Sequence, residues 1–181
     1  MKNSPLMQIA AFFLENPYTE IYLRQLAKEL KLSPYSVKQN IDLLINENLV
    51  KEERRANLRY FKADINGLFF RHLKVAFNIS AISKSGIMDF LKENIPNISS
   101  IALFGSIAKG EDDKKSDVDM LAIGKEKYLD LVKFEEKLGR RITLHIYSWS
   151  DWNKKAKQDS AFYYEIISYG IPLYGELPIM R

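Results

Sequence analysis

Length, composition and charge exclude several classes of protein. The chain has 181 residues, 46% of them hydrophobic and 12% aromatic, which is enough for one ordinary domain or two small ones with buried cores. It contains no cysteine and 2 histidines, so disulfides and thiolate metal sites are excluded and a histidine-rich zinc site is disfavoured. The formal net charge of +4 is too small to indicate a nucleic-acid partner by itself.

Nothing in the sequence indicates a membrane-spanning or exported protein. No segment approaches the about 18 continuous apolar residues that a membrane span requires. The first apolar segment, MKNSPLMQIAAFFLENP, is interrupted by Gln8 and closed by Glu15, and no small-residue cleavage pattern follows it. We therefore expect an amphipathic first helix in a cytoplasmic protein that does not contact a membrane.

The first third of the chain has the periodicity of three short helices followed by a hairpin. Apolar residues at helical spacing predict helices over residues 5–15 and 23–30, and a third helix that begins at Pro34 after the N-cap residue Ser33. The alternation within LVKEERRANLRYFKAD then predicts two antiparallel strands joined by a tight turn.

This order of elements resembles the winged helix-turn-helix domains of prokaryotic transcription regulators over about residues 5–64. The resemblance implies that the third helix and the hairpin, which forms the wing, face duplex DNA. Their hydrogen-bonding and cationic side chains are the predicted DNA-binding residues: Tyr35, Ser36, Lys38, Gln39, Arg54, Arg55 and Arg59. Winged helices also bind other proteins, and Asp42, Glu52 and Glu53 oppose phosphate binding, so a partner-binding role stays open.

Residues 65–95 contain two helical segments, and the first has more apolar residues than one helix face needs. INGLFFRHLKVAFNIS has too much apolar surface for a single stripe. This predicts a helical connector that packs on two sides, either between two domains or against a second copy of the chain. We expect a homodimer formed through this connector.

The stretch LFGSIAKGEDDKKSDVDMLAIG combines a turn of small residues with two spaced carboxylates. The preceding ISSIALF predicts a strand, and Gly105 and Ser106 then open a helix whose backbone N–H groups favour a phosphate. Asp117 and Asp119 lie two residues apart on the next predicted strand, so their side chains point to the same face. Two hard oxygen ligands beside an anion-binding turn suit a magnesium-bound nucleoside triphosphate.

The combined pattern resembles the minimal nucleotidyltransferases of the DNA polymerase β superfamily over about residues 87–176. Its spaced positions are Gly105, Ser106, Ala108, Gly110, Ser116, Asp117 and Asp119. The resemblance implies that the turn holds a nucleoside triphosphate, that the two aspartates hold Mg²⁺, and that a nucleoside monophosphate is transferred to an acceptor hydroxyl with loss of pyrophosphate. The candidate nucleotide-binding residues are Gly105, Ser106, Lys109 and Ser116. Some members of the family inactivate toxin subunits, so a partner protein is one candidate acceptor.

The sequence departs from this family at the third carboxylate, which usually lies on a later strand and serves as metal ligand and base. The candidate strand, residues 142–147, contains no Asp or Glu, and Thr143 or His145 stands at the expected place. Either His145 replaces the base, because a neutral imidazole can accept a proton near pH 7, or the site binds nucleotide and metal without efficient transfer. His145 can also be a packed strand residue.

These observations predict an α+β protein with three parts. We expect a winged helix domain at residues 1–64, a helical connector at 65–95, and a nucleotidyltransferase-like domain at 96–181 in which helices flank a small mixed sheet. The leading functional hypothesis is a DNA-binding regulator that binds Mg-nucleotide and transfers nucleoside monophosphate slowly or only to a specific partner. The alternative is an active nucleotidyltransferase that modifies a protein or small-molecule hydroxyl and uses the winged helix to bind its partner.

Overall fold

The computed structural model describes residues 4–180, which divide into two compact units. The N-terminal unit is Met1–Lys74 and the C-terminal unit is Val75–Arg181, so the division falls inside a helix, α4 (Leu68–Ser85). Within the described residues, no helix is both long and apolar enough to cross a membrane.

Before α4, the described part of the N-terminal unit has three helices and a small antiparallel sheet. Its elements before α4 are α1 (Pro5–Glu15), β1 (Ile21–Tyr22), α2 (Leu23–Leu30), α3 (Pro34–Asn46), β2 (Val50–Arg55) and β3 (Leu58–Ala63). The Ser33 side chain accepts a hydrogen bond from the backbone N–H of Ser36 and so caps α3. The three predicted helices and the hairpin are confirmed, whereas the short strand β1 was not predicted.

The sheet of the N-terminal unit has the strand order β1-β3-β2, and apolar residues of the helices and of the sheet form a buried core. Among its buried side chains are Ile9, Phe13, Ile21, Leu26, Val37, Ile41, Leu44 and Phe61. Lys74 is also buried, and its Nζ donates a hydrogen bond to the backbone carbonyl of Leu14 near the end of α1. This bond satisfies one of the carbonyls that a helix leaves unpaired at its C-terminus.

The predicted connector is two helices, α4 and α5 (Ile87–Asn94), separated by Gly86. Gly86 has φ of +83°, a left-handed conformation that a residue with a side chain rarely adopts. At the start of α4, the Phe70 side chain is buried, whereas Leu68 is 71% exposed. The homodimer expected through this segment stays a prediction.

The C-terminal unit is built on a mixed four-stranded sheet, as predicted. After α5 its elements are β4 (Ser100–Phe104), α6 (Gly105–Lys109), β5 (Val118–Ile123), α7 (Val132–Leu138), β6 (Ile142–Tyr147), α8 (Trp149–Gln158), α9 (Ser160–Tyr169) and β7 (Ile171–Tyr174). The strand order is β6-β5-β4-β7, in which β5 and β6 are parallel and the other two pairs are antiparallel.

Helices cover both faces of this sheet, and the alternation of side chains along β5 determines where its carboxylates lie. Met120 and Ala122 pack with residues of α5 and α7 on one face. Leu121 and Ile123 pack with residues of α8 and α9 on the other. Since residues two apart share a face, Asp119 belongs to the side of the sheet that α8 and α9 cover.

Candidate functional site

The turn after β4 brings the backbone of Gly105 against the carboxylate of Asp119. Phe104, the last residue of β4, pairs in register with Asp119 on β5, so the start of α6 lies beside that aspartate. Gly105 has φ of +72°, and a Cβ built on it would collide with Oδ2 of Asp119. Position 105 therefore requires glycine for two reasons, the left-handed backbone and the closeness of the carboxylate.

The two motif aspartates lie close enough to influence each other. The pKa of Asp119 is raised, first by burial and next by the negative charge of Asp117. The charge of His145 opposes this rise, whereas the carboxylate of Glu165 adds to it. The carboxylates of Asp117 and Glu165 thus lie within electrostatic range of Asp119, and Glu165 was not indicated by the sequence.

The register between β5 and β6 places the two candidate substitutes for the third carboxylate differently. Thr143 pairs with Asp119, whereas His145 pairs with Leu121, two residues further along the strand. The His145 ring lies 5.7 Å from the ring of Phe162 and is stacked parallel to that of Tyr147. His145 is therefore surrounded by aromatic residues, and the residue directly beside Asp119 is a threonine.

Lys109, at the end of α6, is bound by a carboxylate from α9. Its Nζ lies 2.7 Å from Oε1 and 3.0 Å from Oε2 of Glu165, and 4.8 Å from the centre of the Tyr169 ring. Glu165 was not predicted as a site residue, although it is the only acidic residue in the aromatic helix SAFYYEIISY.

Ser116 and Asp112 have roles within the loop that connects α6 to β5. The Ser116 hydroxyl accepts a hydrogen bond from the backbone N–H of Asp113 and donates one to the Asp113 carboxylate, so it is engaged inside the loop. Asp112 is 1% exposed. Its Oδ1 accepts a hydrogen bond from Asn78 of α4, and its Oδ2 lies 2.8 Å from Nη1 of Arg140, which precedes β6. This buried group ties the loop before Asp117 to the body of the unit.

The donor set at the aspartate pair fits a magnesium ion that takes most of its ligands from a nucleotide and water. Among residues 4–180, no cluster of three or more histidine, cysteine, aspartate or glutamate side chains is placed to hold a metal. Asp117 and Asp119 supply two carboxylates, and Mg²⁺ is commonly bound by one or two carboxylates together with substrate phosphates. The missing side chain of Gly105 lets the Asp119 carboxylate lie against the backbone of the turn.

In the N-terminal unit, all three predicted DNA-binding arginines have carboxylate partners. Arg54 lies 2.8 Å from Glu52. Arg55 contacts Glu20 at 2.7 Å and Glu53 at 2.8 Å, and Arg59 contacts Asp42 at 2.6 Å and Glu52 at 2.8 Å. Hydrogen bonds from Arg59 and Arg54 lower the pKa of Glu52 to about 2. Much of the positive charge of the hairpin is thus compensated within the unit.

The remaining predicted DNA-binding residues lie on α3. Tyr35 is 70% exposed, and its hydroxyl accepts a hydrogen bond from Nε2 of Gln39 at 2.7 Å. Ser36 is half-buried and Lys38 is exposed. Lys38 lines an open cleft with residues of the hairpin, including Arg54, Asn57 and Arg59. Of the predicted DNA-binding residues, the structure thus brings Lys38, Arg54 and Arg59 to one cleft.

Comparison with known proteins gives a family for the C-terminal unit. The family model described as "Polymerase beta, Nucleotidyltransferase" matches residues 85–177. A comparison with curated proteins finds no match. Among solved structures, a toxin-antitoxin with AMP-PNP is 22% identical, with 50% of this chain and 71% of that chain covered and a TM-score of 0.38. Two mutants of the toxin-antitoxin MntA-HpeT are each 20% identical, with a TM-score of 0.36. The match to one mutant covers 51% of this chain and 72% of that chain, and the match to the other covers 50% of this chain and 70% of that chain. Because the family model spans more than half of the residues, the chain belongs to the polymerase beta nucleotidyltransferase family.

Proposed function

We propose that the C-terminal unit binds a nucleoside triphosphate and transfers its nucleoside monophosphate to a hydroxyl of a protein or small molecule. The observation that supports this most directly is the meeting of Asp117 and Asp119 beside the glycine turn at Gly105, inside the region that matches the family. In the reaction, a bond forms between the acceptor oxygen and the α-phosphorus, and the bond from that phosphorus to pyrophosphate breaks.

The chain's residues divide this work between binding and positioning. Asp117 and Asp119 would hold Mg²⁺, which neutralises phosphate charge and polarises the α-phosphate when it is bound. The turn at Gly105 and Ser106 receives the phosphates, and Lys109 supplies a positive charge nearby. The buried Asp112 keeps the loop before Asp117 in place.

The acceptor proton is the demanding part of the reaction. Thr143, beside Asp119, is not a base at neutral pH, and His145 lies among aromatic rings two residues further along β6. Loss of a general base typically reduces a rate by about 10² to 10⁴. We therefore propose slow transfer, or transfer that requires a specific acceptor to complete the site, and keep His145 as the candidate base.

The test is a panel of nucleoside triphosphates with magnesium, measured by calorimetry and by transfer of labelled nucleotide. Asp119→Asn should abolish magnesium-dependent binding, because it removes a charged ligand. Asp89→Asn makes the same change at an exposed position on α5 and should leave binding intact. Wild-type protein that binds no nucleotide, or binding that Asp119→Asn leaves unchanged, would refute the proposal. Rapid transfer that is lost in His145→Ala while binding remains would assign the base to the imidazole.

For the N-terminal unit, we propose a winged helix-turn-helix whose α3 and hairpin surface binds a partner protein. The supporting observation is the compensation of Arg54, Arg55 and Arg59 by carboxylates, which reduces the attraction of this surface for phosphates. Duplex DNA is the other candidate partner. It would be favoured by a mobility shift at low salt that weakens steeply with added salt and is reduced in Lys38→Ala.

A further inference from the structure

The ion pair between Lys109 and Glu165 joins the end of α6 to α9. The two side chains are similarly shielded, with exposures of 29% and 28%, and the ammonium also lies over the Tyr169 ring, 4.8 Å from its centre. Both neighbours stabilise the positive charge of Lys109, Glu165 by a direct ion pair and Tyr169 by a cation–π contact. The ammonium is therefore held in place before any nucleotide arrives.

The location of this pair gives it a consequence for binding. Lys109 ends α6, the helix that begins at Gly105, and Glu165 lies close enough to Asp119 for its charge to raise the pKa of that carboxyl. The carboxylate of Glu165 is thus paired with Lys109 and also acts electrostatically on Asp119. A triphosphate entering this site brings several further negative charges and competes with Glu165 for the same ammonium.

We propose that Lys109 exchanges Glu165 for the phosphates when nucleotide binds, and that Glu165 is a positioning residue that lowers nucleotide affinity while holding the lysine at the site. A lysine ammonium is a point charge on a flexible stem with three rotatable donors, so it can turn from one anion to another at little cost in geometry. The Tyr169 ring provides a contact that does not depend on either anion. This inference rests on the proposed nucleotide-binding function.

The exchange predicts that removing the charge of Glu165 and removing the charge of Lys109 change the binding affinity in opposite directions. Glu165→Gln removes the competitor and should tighten binding of magnesium with inorganic triphosphate by about three- to tenfold. Lys109→Gln removes the shared cation and should weaken it by about tenfold or more. Inorganic triphosphate is the probe because it needs no knowledge of the preferred base, and calorimetry gives its dissociation constant directly.

A double-mutant cycle separates exchange from simple repulsion. In the Lys109→Gln background, Glu165→Gln should have little effect, because the shared cation is gone. Equal tightening in both backgrounds would mean that Glu165 acts only as a nearby charge, and would overturn the exchange. Glu136→Gln is the matched control, since it makes the same charge change at an exposed position of α7, on the opposite face of the sheet.

The outcomes also distinguish this inference from the proposed function. If wild-type protein shows no magnesium-dependent binding, or if binding survives Asp119→Asn, the proposed function fails and the inference fails with it. If binding is lost in Asp119→Asn but Glu165→Gln weakens it or leaves it unchanged, only the inference is overturned.

Discussion

Replacement of Gly105 by alanine tests whether the glycine is needed for the carboxylate beside it or only for its backbone conformation. Gly105 has φ of +72°, and its Cβ position is occupied by Oδ2 of Asp119. Gly139, at the end of α7, has φ of +64° with no atom within 4 Å of its Cβ position. Both glycines belong to the C-terminal unit, so Gly139→Ala is a control with the same backbone penalty and no collision.

The magnitudes follow from this difference. An alanine in left-handed conformation costs about 1–2 kcal/mol, which both variants should lose in the free energy of unfolding. Gly105→Ala must in addition displace the Asp119 carboxylate, and forcing atoms into an occupied space typically costs about 1–3 kcal/mol more. Gly105→Ala should also weaken magnesium-dependent nucleotide binding, because the displaced carboxylate is a proposed metal ligand.

Tryptophan fluorescence during urea unfolding is a suitable assay because it reports on the relevant unit alone. The chain has 2 tryptophans, Trp149 and Trp152, and both lie in the C-terminal unit, with Trp152 fully buried. In an Asp119→Ala background the obstacle is gone, so the extra cost of Gly105→Ala should disappear. The reasoning is refuted if Gly105→Ala costs no more than Gly139→Ala, or if its extra cost persists without Asp119.

Two further predictions concern buried and paired carboxylates. Asp112→Asn leaves the largely buried Arg140 without its carboxylate. It should lower the free energy of unfolding of the C-terminal unit by about 3–5 kcal/mol, as breaking a buried ion pair does. A loss below about 1 kcal/mol, or one no larger than in the exposed control Asp89→Asn, would contradict this. In the N-terminal unit, Glu52 has a pKa of about 2, below its ordinary 4.5, because Arg59 and Arg54 donate hydrogen bonds to it. A pKa that is lowered in the folded state contributes stability above pH 4.5, and this contribution is lost as the pH falls to about 2. The difference in free energy of unfolding between wild type and Glu52→Gln should therefore vanish over that pH range. Circular dichroism during unfolding measures this difference. A difference that stays constant from pH 6 to pH 2 would refute the pairing.

The helices could be predicted from the sequence because their causes are local. Helix α3 has an N-cap serine at Ser33, a first-turn proline at Pro34 and apolar residues at helical spacing, and these signals are all close together in the sequence. Strand β1 has only two residues and forms by pairing Ile21 with Phe61, 40 positions later in the chain. Such a strand has no period of its own, so only the tertiary structure reveals it.

The candidate site also has features that local sequence patterns predict and features that only the tertiary structure reveals. Strand alternation predicts that Asp117 and Asp119 face the same side, and in the structure β5 begins at Val118, one residue after Asp117. Which residue of β6 lies beside Asp119 depends on the register between two parallel strands, and the sequence left Thr143 and His145 as alternatives. Glu165 reaches the site from a helix packed against the sheet, so no short-range pattern connects it to the motif.

The contrast between two kinds of carboxylate in the C-terminal unit supports a ligand-binding role for the motif. Asp112 is fully buried and is compensated by Arg140 and Asn78, as expected of a charge that stabilises the fold. Asp119 instead has a raised pKa, because burial and the carboxylates of Asp117 and Glu165 all disfavour its charge. An arrangement that costs stability in the unliganded protein is typical of sites where a ligand supplies the missing compensation. Here the missing charge is positive, which agrees with the proposed binding of Mg²⁺ by Asp117 and Asp119.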